Sequence, residues 1–511
     1  MLYGAIVTLR FGLVVKSLPC SILQKRGGGK TTILVVKFLI SMKNYKKNKQ
    51  VVQNVLIEDF AAEGKCIARL HGGVVFVEGN VAPGDVVDVE IFNNKKKYAE
   101  GRVLQTHHFS EKRAAPFCQH FGTCGGCKWQ HIKYEEQLQF KWQQVYDHLH
   151  RIAKVQLPDF EPIVASAETT FYRNKLEYTF SNARWFTPDQ MGQADELGNN
   201  ALGFHIPRRF DRILDIETCY LQPDPSNQIR NELRAFAMAE RLGFYDQKVN
   251  AGFLRNLIIR TANSGDVMVI VQFGHPDEEK VALVMAFLQN SFPQITSLNY
   301  IINQKGNDSY YDQTVVHFAG KAFIEEKMED LTFRVGPKSF YQTNASQAYE
   351  LYKITRNLAQ LTNNEHVYDL YTGTGTIANF VARQAKSVVG VEYVAEAIED
   401  AKVNSEINQI DNTRFYAGDM KNVLNETFVA ENGQPDVIIT DPPRAGMDEP
   451  VVRTILRIAP PRIVYVSCNS ATQARDLAWL DEQYTVRRVQ PVDMFPHTHH
   501  VENVVLLEKR P

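Results

Sequence analysis

The sequence has no long hydrophobic run, almost no net charge and few cysteines. In its 511 residues, the two mostly apolar runs Ala5–Val15 and Thr31–Ile40 stay short of the roughly 18 to 20 residues that span a bilayer, so no membrane contact is predicted. The formal net charge of -1 gives no overall attraction to polyanions, so any nucleic-acid surface must be local. The 7 cysteines form no regular framework, which excludes a disulfide-stapled secreted protein and favours a reducing cytoplasm.

The length and composition indicate an ordinary globular protein of two to four domains, because the chain is too long for a single core. Residues 1–47 differ from the rest, and we hypothesise that translation begins at Met42, ahead of a basic stretch. The run Gly27–Thr32 is similar to a phosphate-binding loop, but Gln24 stands where that loop needs its first glycine. Cys20 and Cys66 are expected to be ordinary free thiols.

From Val51 to about His107 the sequence predicts a small β-barrel. Its short strands are separated by turn signals such as Pro83-Gly84-Asp85, and strands this closely spaced are typical of barrels. The basic tips Lys43–Lys49 and Asn93–Lys97 are either solvated loops or a means of holding RNA by its phosphates. The predicted strands are Val51–Ile57, Cys66–Leu70, Val74–Glu78, Val86–Ile91 and Gly101–Gln105.

Four cysteines have the pattern of metal ligands. Cys118, Cys124 and Cys127 follow one another as C-x5-C-x2-C ahead of a helical stretch, and Cys219 lies alone, on an expected strand. Four thiolates in tetrahedral geometry serve either zinc or an iron–sulfur cluster. Zinc ribbons usually contain two C-x2-C pairs, so this layout favours a cluster, with zinc and buried free thiols as the alternatives.

Residues 160–320 alternate short strands with helices and contain the cluster Phe171-Tyr172-Arg173-Asn174-Lys175. Aromatic and basic side chains together are suited to stacking bases and contacting phosphates. The same composition is equally typical of core aromatics flanked by surface charges.

The last third predicts a doubly wound sheet that binds a nucleoside. A strand runs into the glycine loop Tyr371–Gly375 and then into a helix, so that the loop and the helix N-terminus meet the ligand. The next strand ends about twenty residues later at Glu392, where an acid can accept hydrogen bonds from ribose hydroxyls. Two further units end at Asp419 and at Asp441-Pro442-Pro443-Arg444. The loop by itself does not exclude a nicotinamide-dependent dehydrogenase.

Cys468 and Glu502 lie downstream of this loop and are candidates for a thiol nucleophile and a carboxylate base. A pyrimidine C5 is too weak a nucleophile to take a methyl group unaided, so a thiolate must first add at C6. A carboxylate must then remove the C5 proton before the thiolate can leave. A lone cysteine at a strand end is more often an inert buried thiol, and the three histidines His497, His499 and His500 cannot all face one metal ion from an extended segment.

These motifs together resemble the RNA (uracil-5-)-methyltransferase family, over residues from about 48 to 511. Residues 48–107 resemble the TRAM domain, an RNA-binding barrel, and with the four cysteines the closest resemblance is to the RumA-like branch that acts on 23S ribosomal RNA. The motifs that carry the resemblance are Phe340–Asn344, Asp369–Thr376, Asp441–Gly446, Ser467–Asn469 and Met494–Glu502.

The resemblance implies roles for twelve residues. Cys468 would be the nucleophile and Glu502 the base. The expected S-adenosyl-L-methionine site consists of Gln342, Tyr371, Thr376, Glu392, Asp419 and Asp441. The expected [4Fe-4S] ligands are Cys118, Cys124, Cys127 and Cys219.

The predicted fold class is therefore α/β. It comprises a TRAM-like OB barrel (48–107), a central α+β iron–sulfur domain (108–325) and a Rossmann-like methyltransferase domain (326–511), after an extension (1–47). The expected partner is 23S ribosomal RNA, with transfer RNA as the alternative, and no obligate protein partner is evident. Two rival classes are a non-catalytic RNA-binding iron–sulfur protein and an amino-group methyltransferase that uses Asp441-Pro442-Pro443-Arg444.

Overall fold

The computed structural model describes residues 50–61, 64–70 and 72–511. The predictions for residues 1–47, including the Met42 start, the phosphate-loop motif and Cys20, lie outside the described residues.

The first part of the described chain is a six-stranded sheet with the strand order β1-β5-β6-β4-β3-β2. Alternate residues of β3 and β4 point into a core of valines and isoleucines that includes Val55, Ile57 and Val77. The predicted strands are present, but β5 and β6 extend further than expected and pair through three irregularities in register. The strands are β1 (Gln50–Leu56), β2 (Asp59–Phe60), β3 (Cys66–Leu70), β4 (Gly73–Glu78), β5 (Val86–Asn94) and β6 (Tyr98–His108).

The middle part is built on an eight-stranded sheet in the order β14-β13-β12-β11-β7-β9-β10-β8, and a separate hairpin, β15-β16, follows it. Helix α1 (Tyr134–His148) precedes the eight-stranded sheet in the chain, and a π-helical turn at Leu149–Ala153 follows α1 directly. The strands are β7 (Lys175–Ser181), β8 (Arg184–Trp185), β9 (Ala201–Ile206), β10 (Arg209–Asp215), β11 (Leu254–Thr261), β12 (Val267–Phe273), β13 (Ser297–Ile302), β14 (Val315–Gly320), β15 (Ile324–Met328) and β16 (Leu331–Val335). The helices are α2 (Ala194–Leu197), α3 (Ser226–Ala239) and α4 (Glu278–Ser291), with a 3-10 turn at Met191–Gln193.

The expectation that Cys219 lies on a strand is wrong. β10 ends at Asp215, and Cys219 follows in an irregular segment before α3. Pro223 and Pro225 come next, and proline cannot donate to a ladder. The amide of Cys219 instead donates to Asn227 Oδ1 at 2.8 Å, which ties the segment to the first turn of α3.

The last part is a seven-stranded sheet in the order β19-β18-β17-β20-β21-β23-β22. The five strands β17 to β21 run parallel to one another. β23 lies between β21 and β22 and runs antiparallel to both. The strands are β17 (His366–Leu370), β18 (Ser387–Glu392), β19 (Thr413–Ala417), β20 (Val437–Thr440), β21 (Arg462–Ser467), β22 (Tyr484–Val492) and β23 (Glu502–Lys509). The helices are α5 (Ala345–Ala359), α6 (Thr376–Ala382), α7 (Ala395–Ile407), α8 (Met420–Val423), α9 (Glu426–Asn432), α10 (Glu449–Ile458) and α11 (Ser470–Leu480).

The strand order of this sheet reverses between β17 and β20, because the chain moves outward through β18 and β19 and then returns to the other side of β17. Ligands of doubly wound sheets bind at the carboxyl ends of the strands that flank such a reversal. Here those ends are Leu370 and Thr440, which directly precede Tyr371 and Asp441. The predicted α/β class with a Rossmann-like C-terminal part is confirmed. No helix in the described part of the chain is long and apolar enough to cross a membrane.

A fully buried ion pair joins α1 to the last part of the chain. Lys141 Nζ lies 2.5 Å from Asp493 Oδ1, and neither side chain has any exposed surface. Asp493 also accepts a hydrogen bond from the hydroxyl of Tyr134 at 2.8 Å, and Lys141 donates to the carbonyl of Phe495 at 3.0 Å. The pair therefore fixes the start of the segment that leads to Glu502.

Replacing Lys141 by methionine is expected to lower the free energy of unfolding by about 3 to 5 kcal/mol, since it leaves the Asp493 carboxylate buried without its counter-charge. Urea denaturation of Lys141→Met and of the exposed control Lys133→Met tests this. A loss below about 1 kcal/mol for Lys141→Met would show that the pair is not a buried charge pair in solution.

Candidate active site

The glycine loop after β17 has the shape of a nucleotide-binding turn. Tyr371, Gly373 and Gly375 all have positive φ, of 65°, 56° and 73°. The amide of Gly373 donates to Glu392 Oε2 at 3.2 Å, and the amide of Val394 donates to Glu392 Oε1 at 3.0 Å. Glu392, the last residue of β18, thus lies directly beside the loop, as the spacing predicted.

Three of the six predicted cofactor residues share this region. Burial raises the pKa of the Tyr371 phenol, and carboxylates that include Asp419 and Glu392 raise it further, so these side chains are electrostatic neighbours. Asp419 caps α8 by accepting a hydrogen bond from the amide of Lys421 at 3.2 Å. A side chain built onto Gly373 would meet no atom within 4 Å, so there is free space beside the loop, which fits a nucleoside ligand.

The other three predicted cofactor residues lie on neighbouring elements. Thr376 is the buried first residue of α6, with its hydroxyl 3.3 Å from that of Thr374. The carbonyl of Gln342 accepts a hydrogen bond from Asn174 Nδ2 at 3.0 Å, which links the strand β7 region to this site. Asp441 follows β20, and burial, with a smaller contribution from Asp369, raises its pKa to about 7.

Replacing Gly375 by alanine is expected to damage the loop more than the same change at Gly373. Both positions have positive φ, so alanine costs about 1 to 3 kcal/mol of backbone strain at either one. At Gly375 the new Cβ would also lie 2.8 Å from the Cβ of Ala401. We expect Gly375→Ala to bind S-adenosylmethionine about tenfold more weakly than Gly373→Ala, which corresponds to about 1.4 kcal/mol. Calorimetric titration of both variants measures the difference, and equal affinities would contradict it.

The register of two strands brings Cys468 and Glu502 face to face. β21 and β23 are antiparallel, and their last recorded pair is Ser467 with Asn503. Cys468 is the residue that follows β21 and Glu502 is the first residue of β23, so both lie immediately beyond this pair, and the charge of Glu502 acts on the Cys468 thiol. Glu502 itself pairs with Val492 of β22. Two candidate residues that are 34 positions apart in sequence are thereby neighbours at the same edge of the sheet as Asp441.

Cys468, Glu502 and Asp441 are buried acidic groups that lie close to one another, and the nearby cation Arg444 acts on both Cys468 and Glu502. Burial first, and then Asp441, raise the pKa of Glu502 to about 8, while Arg444 opposes the shift. Burial first, and then Glu502 and Asp441, raise the pKa of the Cys468 thiol to about 11, while Arg444 lowers it by charge and by a hydrogen bond. The resting thiol is therefore protonated at neutral pH, and Arg444 is the group that favours its thiolate.

The four predicted ligand cysteines line one cavity of about 370 Å³ in the middle part of the chain. Cys118, Cys124 and Cys127 come from the segment before α1, and Cys219 comes from the segment before α3. All four are free thiols, and burial raises the pKa of each, to about 12 for Cys124 and about 11 for Cys127. Arg173 and Thr498 also line the cavity, so its wall touches the segment that leads to Glu502. In residues 50–61, 64–70 and 72–511, no three His, Cys, Asp or Glu side chains form a group that could hold a metal ion.

Residues 297–510 match the family model described as tRNA (Uracil-5-)-methyltransferase, and residues 46–104 match that of the TRAM domain. A protein of Bacteroides thetaiotaomicron named an uncharacterized RNA methyltransferase is 58% identical over 454 residues, which are 88% of this chain and 100% of that protein. The chain belongs to the RNA (uracil-5-)-methyltransferase family. A relative of the same description from Porphyromonas gingivalis is 53% identical over 460 residues, which are 88% of this chain and 98% of that protein.

Among solved structures, the tRNA (uracil-54, C5)-methyltransferase of Pyrococcus abyssi, in complex with S-adenosyl-L-homocysteine, has a TM-score of 0.70 and 29% identity to this chain. The match covers 89% of this chain and 100% of that structure. The predicted family, RNA as the partner and S-adenosylmethionine as the cofactor are thus confirmed for this RNA (uracil-5-)-methyltransferase.

The sequence does not predict the contacts of two arginines in this uracil-5 methyltransferase. Arg444 is the last residue of the motif Asp441-Pro442-Pro443-Arg444, but its contact with Cys468 depends on the pairing of distant strands. Arg173 was assigned to RNA binding or to the surface. Its guanidinium lies 5.0 Å from the ring of Phe495, between the cysteine cavity and the segment before Glu502.

Proposed function

We propose that this enzyme converts a uridine of 23S ribosomal RNA to 5-methyluridine, with Cys468 as the nucleophile and Glu502 as the base. The observation that carries the proposal is the β21–β23 register, by which a thiol just after β21 and a buried carboxyl at the start of β23 come to the same edge of the sheet as Asp441, beside the crevice where the strand order reverses. A pyrimidine that reaches this crevice must leave its base stack, as it does in other enzymes that act on bases.

Cys468 begins the reaction by adding to C6 of the uracil, which makes C5 an enolate carbon. The attacking species must be the thiolate, so the thiol gives up its proton to solvent before the sulfur–C6 bond forms. Arg444 donates a hydrogen bond to the sulfur and lowers the pKa of the thiol, so it supports ionisation.

S-adenosylmethionine, when bound, supplies a methyl group that C5 takes up. C5 then carries both the methyl group and its original hydrogen. Glu502 removes that proton as a general base, the C5–C6 double bond forms again, and the Cys468 sulfur leaves C6. Burial and the neighbouring Asp441 hold the pKa of Glu502 near 8, which makes it a stronger base than an ordinary carboxylate.

We assign the methyl donor to the crevice beside the glycine loop. Glu392 would accept hydrogen bonds from the ribose hydroxyls, as acids at the end of the second strand do in related sheets. Tyr371 and Asp419 adjoin it, and Thr376 begins the helix whose N-terminus faces the ligand. Gln342 and Asp441 would bound the side towards the reacting carbon.

We assign the four-cysteine cavity to a [4Fe-4S] cluster held by Cys118, Cys124, Cys127 and Cys219. The donor set fits, because four free thiols from two separate segments line one cavity. One C-x5-C-x2-C run completed by a lone distant cysteine is closer to cluster ligation than to a zinc ribbon, which usually contains two C-x2-C pairs. Iron and acid-labile sulfide in anaerobically purified protein would support this assignment, and stoichiometric zinc without iron would refute it.

Ribosomal RNA is favoured as substrate by the combination of a TRAM-type sheet with the cysteine-lined cavity, as in the branch that this chain resembles. Transfer RNA is the second candidate, since the solved structure with a TM-score of 0.70 is that of a tRNA methyltransferase.

The substrate is tested by incubating anaerobically purified enzyme and labelled S-adenosylmethionine with unmodified 23S ribosomal RNA and, separately, with unmodified transfer RNA. The methylated nucleoside is then mapped by mass spectrometry. 5-Methyluridine in the ribosomal RNA alone is the expected result. 5-Methyluridine only in transfer RNA would reject the assigned substrate, and another methylated nucleoside would reject the assigned reaction.

A further inference from the structure

The segment that leads to Glu502 contains one residue in an unfavourable backbone conformation. His497 has a φ of 62°, in the left-handed region that non-glycine residues rarely adopt. Such a conformation persists only where its surroundings hold it, and it is concentrated at functional sites. His497 lies between β22 and β23, five residues before Glu502.

Both the carbonyl and the amide of His497 form hydrogen bonds with the part of the chain that follows Cys127. The amides of Lys128 and Trp129 donate to the carbonyl of His497 at 2.8 and 3.0 Å. The amide of His497 in turn donates to Gln137 Oε1 at 2.8 Å. Gln137 Nε2 donates to the carbonyls of Trp129 at 3.1 Å and Ile132 at 2.9 Å.

Gln137 is the centre of this arrangement. Its side chain is completely buried on α1, one turn before Lys141, and its amide bonds two main-chain segments at once. Without it, the amide of His497 would be buried with no acceptor, which is costly. The left-handed conformation would then lose one of its two anchors.

The residue that follows the nucleophile has hydrogen bonds of its own. Cys468 is followed by Asn469, whose side chain caps α11 by accepting from the amide of Ala471 at 3.1 Å and donates to the carbonyl of Arg444 at 3.0 Å. Helix α1 does approach α11, but through His148 near its far end, whose Nδ1 lies 2.8 Å from Ser470 Oγ, and not through Gln137. A change at Gln137 should therefore displace the base while it leaves the nucleophile in place.

We propose that Gln137 is a positioning residue for Glu502: it anchors the left-handed His497 peptide to the cysteine-bearing segment and so directs the carboxyl towards the reacting carbon. The inference rests on the proposed function. It also connects the cysteine cavity, which Thr498 lines, to the segment before Glu502, because the chain that holds His497 begins directly after Cys127.

The test uses Gln137→Met, which keeps the length of the side chain and removes its hydrogen bonds. The control is Gln143→Met, the same change on the exposed face of the same helix. In a single turnover, Gln137→Met is expected to transfer the methyl group within about threefold of the unaltered rate, but to release methylated RNA about 10- to 100-fold more slowly. The protein–RNA adduct should therefore accumulate on a denaturing gel.

A second measurement does not depend on activity. Hydrogen exchange of the main-chain amides in residues 494–502 is expected to be faster in Gln137→Met than in Gln143→Met, with no change in β17 or β18. Equal slowing of methyl transfer and release, or unchanged exchange in residues 494–502, would overturn the inference. Glu502→Gln in the same gel assay distinguishes a failure of the proposed function from a failure of the role given to Gln137. If it forms no adduct, the proposed function itself fails, whereas an adduct with Glu502→Gln but not with Gln137→Met rejects only the role of Gln137.

Discussion

Glu502→Gln is expected to trap the enzyme on its RNA. The variant should add Cys468 to C6 and transfer the methyl group, but it cannot remove the C5 proton, so the bond between sulfur and C6 persists. We expect product release to fall by about 100- to 10,000-fold, the usual contribution of a general base. Denaturing electrophoresis with RNA and labelled S-adenosylmethionine should show a covalent complex that carries the label.

The pH dependence of release provides a second sign of the same base. In the unaltered enzyme the pKa of Glu502 is raised to about 8, and only the ionised carboxyl accepts the proton. Release of methylated RNA should therefore become faster as the pH rises through about 8, because the ionised fraction of Glu502 increases. Glu502→Gln should lose this dependence.

The matched control is Glu508→Gln, on the same strand but half exposed and paired with Arg487. It should turn over normally. A Glu502→Gln enzyme that releases product at the native rate would show that another group removes the proton.

Cys468→Ala is expected to lower methylation by at least about 1,000-fold, because C5 loses the addition that activates it. No covalent complex should form. Binding of S-adenosylmethionine should be preserved, since the thiol follows β21 whereas the glycine loop and Glu392 of the donor crevice follow β17 and end β18. Calorimetry and a methylation assay measure the two properties separately.

Cys66→Ala is the control for the removal of a buried thiol elsewhere. Cys66 lies in the first sheet and donates to the carbonyl of Val81 at 3.2 Å, so its loss should affect stability and leave the methylation rate unchanged. Methylation that survives in Cys468→Ala would instead favour transfer to an exocyclic amino group, a reaction that needs no cysteine.

Local patterns predicted the framework of the donor crevice. The run from Val367 to Thr376 contains a strand, two glycines and a helix start within ten residues, and Glu392 follows at the expected distance. All of these signals depend on neighbouring residues, so they can be found without a structure. They place the glycine loop and Glu392 together in the fold, while the cofactor role of each residue stays a prediction.

Long-range pairing could not be predicted in the same way. The meeting of Cys468 and Glu502 depends on the register of β21 with β23, and nothing in either short motif specifies that register. Only the chemistry of C5 methylation, which needs both a thiol and a carboxylate, predicts that they lie together. Cys219 shows the opposite failure, because a β-like sequence was interpreted as a strand although Pro223 and Pro225 follow it.

The sequence gives even less indication of the buried polar contacts. Lys141 and Gln137 occupy α1 at positions where a surface helix commonly has polar residues, and only the packing of the chain around them shows that both are fully buried. Their partners Asp493 and His497 lie more than 350 residues away.

The most direct test of the proposed chemistry is the fate of the hydrogen at C5. RNA that contains uridine tritiated at C5 is methylated by the unaltered enzyme, and the released tritium is compared with the methyl groups incorporated. Attack by Cys468 and proton removal by Glu502 predict one tritium released for each methyl group. Methylation with full retention of tritium would place the new bond on another atom and contradict the account.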